Sequence, residues 1–196
     1  MNSITHDFDL MFFGLLPSRI EREATILSAN RALQHAEVLA PIRAPKLLHM
    51  TAAAACYVSA LTDQLLRQLR AAGDRVVARA FQIYWQRAVR RSSEAHDRAL
   101  KLVARRGARE ARLLQESVRA ALLEVGITPV SDPLPEPHVT LLYGRGDLSH
   151  PIDPVCWTVR ELVLIQSLTG LTEYVVRGSW PLLPPLNGFQ QEFTFS

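Results

Sequence analysis

The chain has 196 residues, a mass of 21.9 kDa and a formal net charge of +3 at pH 7. This length suits one domain over residues 1–196, since domains usually hold about 100–200 residues. With 48% hydrophobic and 21% charged residues, the composition excludes a disordered, collagen-like or membrane-bundle chain. The apolar run at 10–16 is shorter than the ~20 residues that cross a bilayer, and acidic residues precede it. We therefore expect a cytoplasmic protein with no membrane segment.

Positive charge is concentrated in residues 61–125, which hold 14 Lys and Arg against 7 Asp and Glu. Such a stretch is usually a solvated helix surface, although it can also face phosphate groups. The same two alternatives stay open for Arg105, Arg106 and Arg109. No helix-turn-helix or zinc signature accompanies the charge, so a sequence-specific DNA binder is disfavoured.

The first half of the chain predicts two pairs of strand and helix. Residues 8–16 are an apolar run of strand length, and Ser18 can cap the helix that follows. Prolines mark a connection to a second predicted strand over 47–52. A second helix is predicted over 57–72, closed by Gly73.

The second half predicts strands over 80–89 and 100–104 and a helix over 108–125, bounded by Gly107 and Gly126. A proline-rich loop over 128–137 leads to three β-rich segments, which are 138–143, 157–168 and 173–183. The tail from residue 184, with Phe189, Phe193 and Phe195, is predicted as an edge strand or a frayed end. Because strands and helices mix without strict alternation, the predicted fold class is α+β.

Two histidines stand in the same setting, each two residues before a threonine in an apolar strand. The two stretches read LLHMT at 47–51 and PHVTL at 137–141. Residues two apart in a strand point to the same face. His49 and Thr51 therefore project together, as do His138 and Thr140, while the intervening residues anchor each strand in the core. If the two strands are neighbours, the four side chains line one cleft.

Two imidazoles and two hydroxyls suit phosphodiester chemistry. A neutral imidazole can take a proton from water or a hydroxyl while an imidazolium protonates the leaving oxygen, and a pKa near ~6.5 lets both forms exist. Threonine hydroxyls can donate to the non-bridging phosphate oxygens. This chemistry needs no metal and no cofactor. Cys56 and Cys156 stand alone in the sequence, which predicts neither a zinc site nor a disulfide framework.

The other four histidines lack a hydroxyl two residues later, and we predict them at the surface. They are His6, His35, His96 and His150.

The motifs resemble those of the 2H phosphoesterase superfamily, and within it the bacterial 2′-5′ RNA ligase (LigT-like) family of RNA 2′,3′-cyclic phosphodiesterases. The resemblance covers nearly the whole chain. It includes FFGLLP at 12–17, the two His-x-Thr motifs, the segment 157–167, Tyr174 and WPL at 180–182. It implies an α+β fold of two similar lobes of antiparallel sheet and helix around a central cleft, with one motif from each lobe.

The same resemblance implies that His49 and His138 are the acid–base pair and that Thr51 and Thr140 bind the scissile phosphate. The implied substrates are RNA ends or nucleotides that bear a 2′,3′-cyclic phosphate, opened to a 2′-phosphate, with 2′-5′ ligation in the reverse direction. His49 would be the acid and His138 the base, although nothing in the sequence fixes that order.

Two stretches depart from the family pattern. Thr51 is followed by AAAAC rather than by leucine and a short strand ending in glycine, which predicts a short strand or a reshaped rim of the cleft. Tyr143 stands near the position where some relatives carry a nucleotide-contacting arginine, and Arg145 follows in a glycine-flanked turn. Tyr143 can stack on a base and Arg145 can reach a phosphate, or the two are ordinary strand-end and turn residues.

Two alternatives remain at this stage. The same machinery could act on 2′-5′-linked oligonucleotides or on an ADP-ribose-type cyclic phosphate. The fold could instead serve as a noncatalytic module that binds RNA or nucleotides.

Overall fold

One antiparallel sheet of eight strands and three α-helices make up the part of the chain described by the computed structural model, residues 8–38, 40–91, 98–130 and 136–185. The strands are β1 (Asp9–Leu15), β2 (Met50–Val58), β3 (Phe81–Arg90), β4 (Arg98–Ala104), β5 (His138–Gly144), β6 (Leu148–Val159), β7 (Glu161–Leu168) and β8 (Glu173–Pro181). The helices are α1 (Arg19–His35), α2 (Asp63–Arg75) and α3 (Ala108–Glu124). The predicted α+β class is confirmed.

Two four-stranded halves meet in the middle of this sheet. The strand order is β6-β3-β4-β5-β2-β1-β7-β8, so β5 and β2 are the neighbours that join the halves. Their register contains a single residue pair, Met50 with Val139. The two predicted motif strands are therefore adjacent although they lie far apart in sequence.

All three helices pack on one face of the sheet. They and the inward-facing strand residues form the main core, in which the rings of Trp85 and Trp157 meet edge to face at 5.3 Å. The opposite face carries only a small apolar cluster, built on Phe12, Val163 and Ile165. Polar strand residues on this second face are free to form a site.

Helix α1 begins in one half of the sheet and packs on the other. It follows β1, and Ser18 and Glu21 close its first turn with a capping box. The Trp157 indole of β6 donates to the Thr25 hydroxyl at 2.9 Å, and the backbone N–H of Thr158 donates to the Glu21 carboxylate. Hydrogen bonds to the inner face of this helix therefore fix the edge strand β6.

Helix α3 makes the reverse crossing. It lies between β4 and β5 in the chain, yet it packs against α2 and β2. The side chain of Gln115 is fully buried, and its amide donates to the Thr51 carbonyl at 3.1 Å. Each half of the sheet is thus covered in part by a helix that follows a strand of the other half in the sequence.

The strand after the first motif is longer than predicted. We expected a strand over 47–52 and a helix from residue 57, but Pro45–Leu47 is a 3₁₀ turn, β2 runs from Met50 to Val58 and α2 starts at Asp63. His49 therefore lies one residue before the strand. The register between β1 and β2 skips Ala52 and Ala55, which marks two bulges. The small alanine side chains fit both irregular positions, and the expectation of a short strand is wrong.

Gly73 does not end its helix, as the sequence suggested. It lies inside α2 and is buried, and a Cβ at this position would overlap the indole ring of Trp180. The Trp180 N–H donates to the neighbouring Asp74 carboxylate at 2.6 Å. The glycine therefore serves close packing between α2 and β8.

The predicted β segment over 157–168 is two strands, separated at Arg160. The first of them, β6, starts at Leu148, well before the predicted boundary, and contains Pro151 and Pro154. Proline is disfavoured inside a sheet, but β6 is at the sheet edge, where a missing N–H is tolerated. The remaining predicted strands and helices are confirmed within a few residues, whereas the tail with its three phenylalanines lies outside the described residues, as do His6 and His96.

Replacing Gly73 by alanine separates the two interpretations of this position. If only helix propensity mattered, alanine would raise the free energy of unfolding by about 1 kcal/mol. If the alanine methyl overpacks against Trp180, the free energy of unfolding would fall by about 1–3 kcal/mol. We expect the loss in urea unfolding of G73A. In a W180L background the same substitution should become neutral or stabilising, and a loss of equal size there would contradict the packing role.

Candidate functional site

The two His-x-Thr motifs face each other where the halves of the sheet meet. An antiparallel pair centred on Met50 and Val139 sets His49 opposite Thr140 and Thr51 opposite His138. Side chains in such positions have Cβ atoms about 4.5–5.5 Å apart. Met50 and Val139 are fully buried on the helix-covered side, so the four polar side chains share the open face.

Both motif histidines are oriented by the same local hydrogen bond. Nδ1 of His49 lies 2.9 Å from the Leu47 carbonyl oxygen, and Nδ1 of His138 lies 2.7 Å from the Glu136 carbonyl oxygen. A carbonyl can only accept, so each Nδ1 carries the proton and each Nε2 keeps its lone pair. In both motifs the nitrogen able to exchange a proton is therefore Nε2.

Aromatic rings surround His49. The ring centroid of Phe12 lies 4.9 Å away and that of Tyr174 lies 5.3 Å away, and the Tyr174 hydroxyl is 3.3 Å from Nδ1. Burial lowers the pKa of His49 to about 4, and the positive charges of Arg43 and His138 act in the same direction. Its imidazole is consequently neutral at pH 7.

The pKa of His138 is also lowered, chiefly by burial, with a further contribution from the charge of Lys101. The hydrogen bond to the Glu136 carbonyl and the charge of the Glu136 carboxylate act in the opposite direction. Lys101 in β4 is the direct neighbour of Thr140 in the adjacent strand β5, and its side chain lies on the open face. One cation therefore stands beside the second motif.

Arg43 is the corresponding cation beside the first motif. Its backbone N–H donates to the Leu141 carbonyl at 2.7 Å, which fixes the loop before β2 against β5. Its guanidinium lies 3.5 Å from the Tyr174 hydroxyl and 5.9 Å from the centroid of the Tyr143 ring. Neither Arg43 nor Lys101 was predicted from the sequence. The only local signal was the polar position of Lys101 between two leucines of β4.

Tyr143 lies on the same open face, three residues after Thr140. An odd spacing would normally place it on the other face, but the register of β4 and β5 skips Leu141 and so restores the orientation. Tyr143 is 59% exposed and lines a groove of about 650 Å³ together with Lys101. Arg145 is exposed in the turn after β5, roughly 15 Å of extended chain beyond Thr140. The structure therefore brings Tyr143 to the site and leaves Arg145 at the far end of the strand.

The other histidines, arginines and cysteines considered in the sequence lie away from the two motifs, and of the described histidines among them His35 is exposed and His150 is half-buried. The rings of His35 and His150 are 6.4 Å apart beside a pocket between α1 and β6. The guanidinium of Arg106 lies 4.9 Å from the ring centroid of Tyr84. Cys56 and Cys156 are both free thiols.

Within the described ranges, no three or more His, Cys, Asp or Glu side chains are grouped as metal ligands. Among the described helices, none has the length and apolar character needed to cross a membrane.

Several solved structures share this fold, and one of them is named as a phosphoesterase. E. coli LigT in its apo form is 22% identical, with a TM-score of 0.68, covering 90% of this chain and 99% of LigT. A protein named as a phosphoesterase is 20% identical over 90% of this chain and 99% of its own, with a TM-score of 0.68. TT0787 of Thermus thermophilus is 21% identical over 88% and 97% of the two chains, with a TM-score of 0.63.

No protein-family model and no curated protein sequence matches the chain. The similarity is one of structure, and it establishes that the chain has the LigT-like fold implied by the sequence resemblance.

The low pKa of His49 predicts a measurable pH dependence of stability. In the unfolded chain this imidazole binds a proton near pH 6.5, whereas in the folded protein it does so at about pH 4. The unfolded state therefore holds more protons in this window, and the free energy of unfolding should fall as the pH decreases from about 6.5 to about 4. Urea unfolding at several pH values should show this slope reduced in H49Q. An NMR titration midpoint of His49 near 6.5 would contradict the prediction.

Proposed function

We propose that this LigT-fold protein is a metal-independent phosphodiesterase that opens 2′,3′-cyclic phosphates at RNA ends or in nucleotides and leaves a 2′-phosphate. The observation that supports it is the pair of His-x-Thr triplets, which face each other across β2 and β5 on the open face of the sheet. A cytoplasmic location is part of the proposal.

In this mechanism the cyclic phosphate lies between the two motifs. The hydroxyls of Thr51 and Thr140 donate to its non-bridging oxygens as negative charge grows on them. One histidine removes a proton from water through Nε2, and the water oxygen bonds to phosphorus. The bond from phosphorus to the 3′ oxygen breaks, and the other histidine gives its proton to that oxygen. With a 5′-hydroxyl in place of water, the same displacement forms a 2′-5′ linkage.

The ligands of a structural neighbour agree with this choice of substrate. Solved structures of E. coli LigT include complexes with ATP, with 3′-AMP and with phosphate. On this chain, we assign Tyr143 to stacking on a base beside the scissile phosphate, because it is exposed on the site face. Arg145 is assigned to a phosphate farther along the substrate, because it lies at the far end of β5.

Removing either motif histidine should abolish most of the activity. We expect H49A and H138A each to lower kcat for a 2′,3′-cyclic nucleotide by about 10²–10⁴-fold, the usual value of general acid–base catalysis. The assay is run with a chelator, and H35A and H150A serve as histidine controls outside the site.

Unaltered turnover by the H49A/H138A double variant would refute the proposal. Binding without product from pH 5 to 8 would indicate a noncatalytic module instead. Comparing kcat/KM for 2′,3′-cyclic, 2′-5′-linked and ADP-ribose-type cyclic substrates identifies the preferred class.

The order of acid and base is a separate prediction. The family resemblance implies His49 as the acid, whereas its low pKa in the unliganded protein makes it the readier base. We propose that His49 is the base and His138 the acid, because the Glu136 carboxylate favours the protonated form of His138 whereas the Arg43 guanidinium disfavours that of His49.

A substrate with sulfur in place of the leaving 3′ oxygen tests this order, since a thiolate leaves without a proton. The variant that lacks the acid should recover most of its rate on this substrate, and the variant that lacks the base should not. We expect recovery in H138A. Recovery in H49A would reverse the assignment.

A further inference from the structure

The four motif side chains bring no permanent positive charge to a site that we propose for an anion. Threonine hydroxyls are neutral, and burial lowers the pKa of both histidines. A phosphodiester carries a negative charge, and leaving water with that charge is costly unless a cation compensates. Arg43 and Lys101 are the cations that act on the two motif histidines.

Arg43 is held at the site and has no acidic partner among the described residues. Its side chain is partly buried, and it lies between the hydroxyl of Tyr174 and the ring of Tyr143. The ion pairs found in the described ranges do not include it. A guanidinium fixed in this way beside a histidine is available for a ligand carboxylate or phosphate.

Lys101 occupies the matching position in the other half of the sheet. It is partly buried in β4, and its neighbours Leu100 and Leu102 are fully buried on the core side. It also lies outside the ion pairs of the described residues, although the exposed Glu136 lines the same groove. Its position across from Thr140 directs it to the open face.

We propose that Arg43 and Lys101 bind the substrate phosphate from two sides, Arg43 beside His49 and Lys101 beside Thr140. This inference rests on the proposed function. Each half of the sheet would then contribute one His-x-Thr motif and one cation to the site. Without a ligand, the two cations oppose protonation of the histidines. A bound phosphate offsets their charge, so binding should favour protonation of the acid that the reaction requires.

Binding of inorganic phosphate tests this inference without catalysis. Isothermal titration calorimetry at low salt compares the wild type with R43M, K101M and the double variant. We expect each single variant to bind phosphate about 10- to 100-fold more weakly, the loss of one charge-assisted hydrogen bond. R19M removes an exposed arginine that pairs with Glu23 on α1, and it controls for net charge.

NMR of the histidines gives a second readout. In the wild type, phosphate should raise the pKa of His49 and His138. In R43M without phosphate, the pKa of His49 should already be higher than in the wild type. A purely structural arginine would not produce this change, and R43K, which keeps the charge, should retain part of the phosphate affinity. If R43M does not fold, K101M and R43K carry the same comparison.

The outcomes separate this inference from the proposed function. Wild-type turnover of a 2′,3′-cyclic nucleotide, with kcat/KM and phosphate affinity unaltered in R43M and K101M, would overturn the two-cation inference alone. Phosphate binding that needs both cations, without any turnover, would support the inference and refute the proposed hydrolysis.

Discussion

The candidate site depends on one point of contact between two strands. Met50 and Val139 form the sole residue pair in the β2–β5 register among the described residues, and both are fully buried. Because side chains alternate along a strand, a shift of one residue on either side would turn that motif toward the core. The apolar residue inside each His-x-Thr triplet therefore fixes which face its histidine uses.

That contact also explains the electrostatics of the site. The ring of His49 lies 4.9 Å from that of Phe12 in the small apolar cluster, and burial disfavours the charged forms of both motif imidazoles. The backbone carbonyls of Leu47 and Glu136 accept hydrogen bonds from the two imidazoles and so orient the rings. The result is a pair of oriented imidazoles with lowered pKa values, in a region where added negative charge would be stabilised.

The strands and helices that depend on local sequence patterns could be predicted. Alternation and the repeated triplet indicated the motif strands, and Ser18 with Glu21 indicated the start of α1. Long-range features were not. Arg43 reaches Tyr174 across 131 positions of the chain, and Lys101 meets Thr140 only because β4 and β5 pair in one particular register.

Two further errors have the same origin. Prolines in β6 are acceptable only because that strand lies at an edge, and Gly73 has to be small only because Trp180 packs on it. Neither fact can be read from the neighbouring residues. The sequence indicates which segments can form strands, while the order of strands in the sheet decides which irregularities they tolerate.

The exchange of helices between the halves has a mechanical consequence. α1 attaches to β6 and α3 attaches to β2, so neither four-stranded half keeps its own complete covering of helices. Pulling the halves apart would break both attachments at once, and unfolding is expected to be cooperative across the junction.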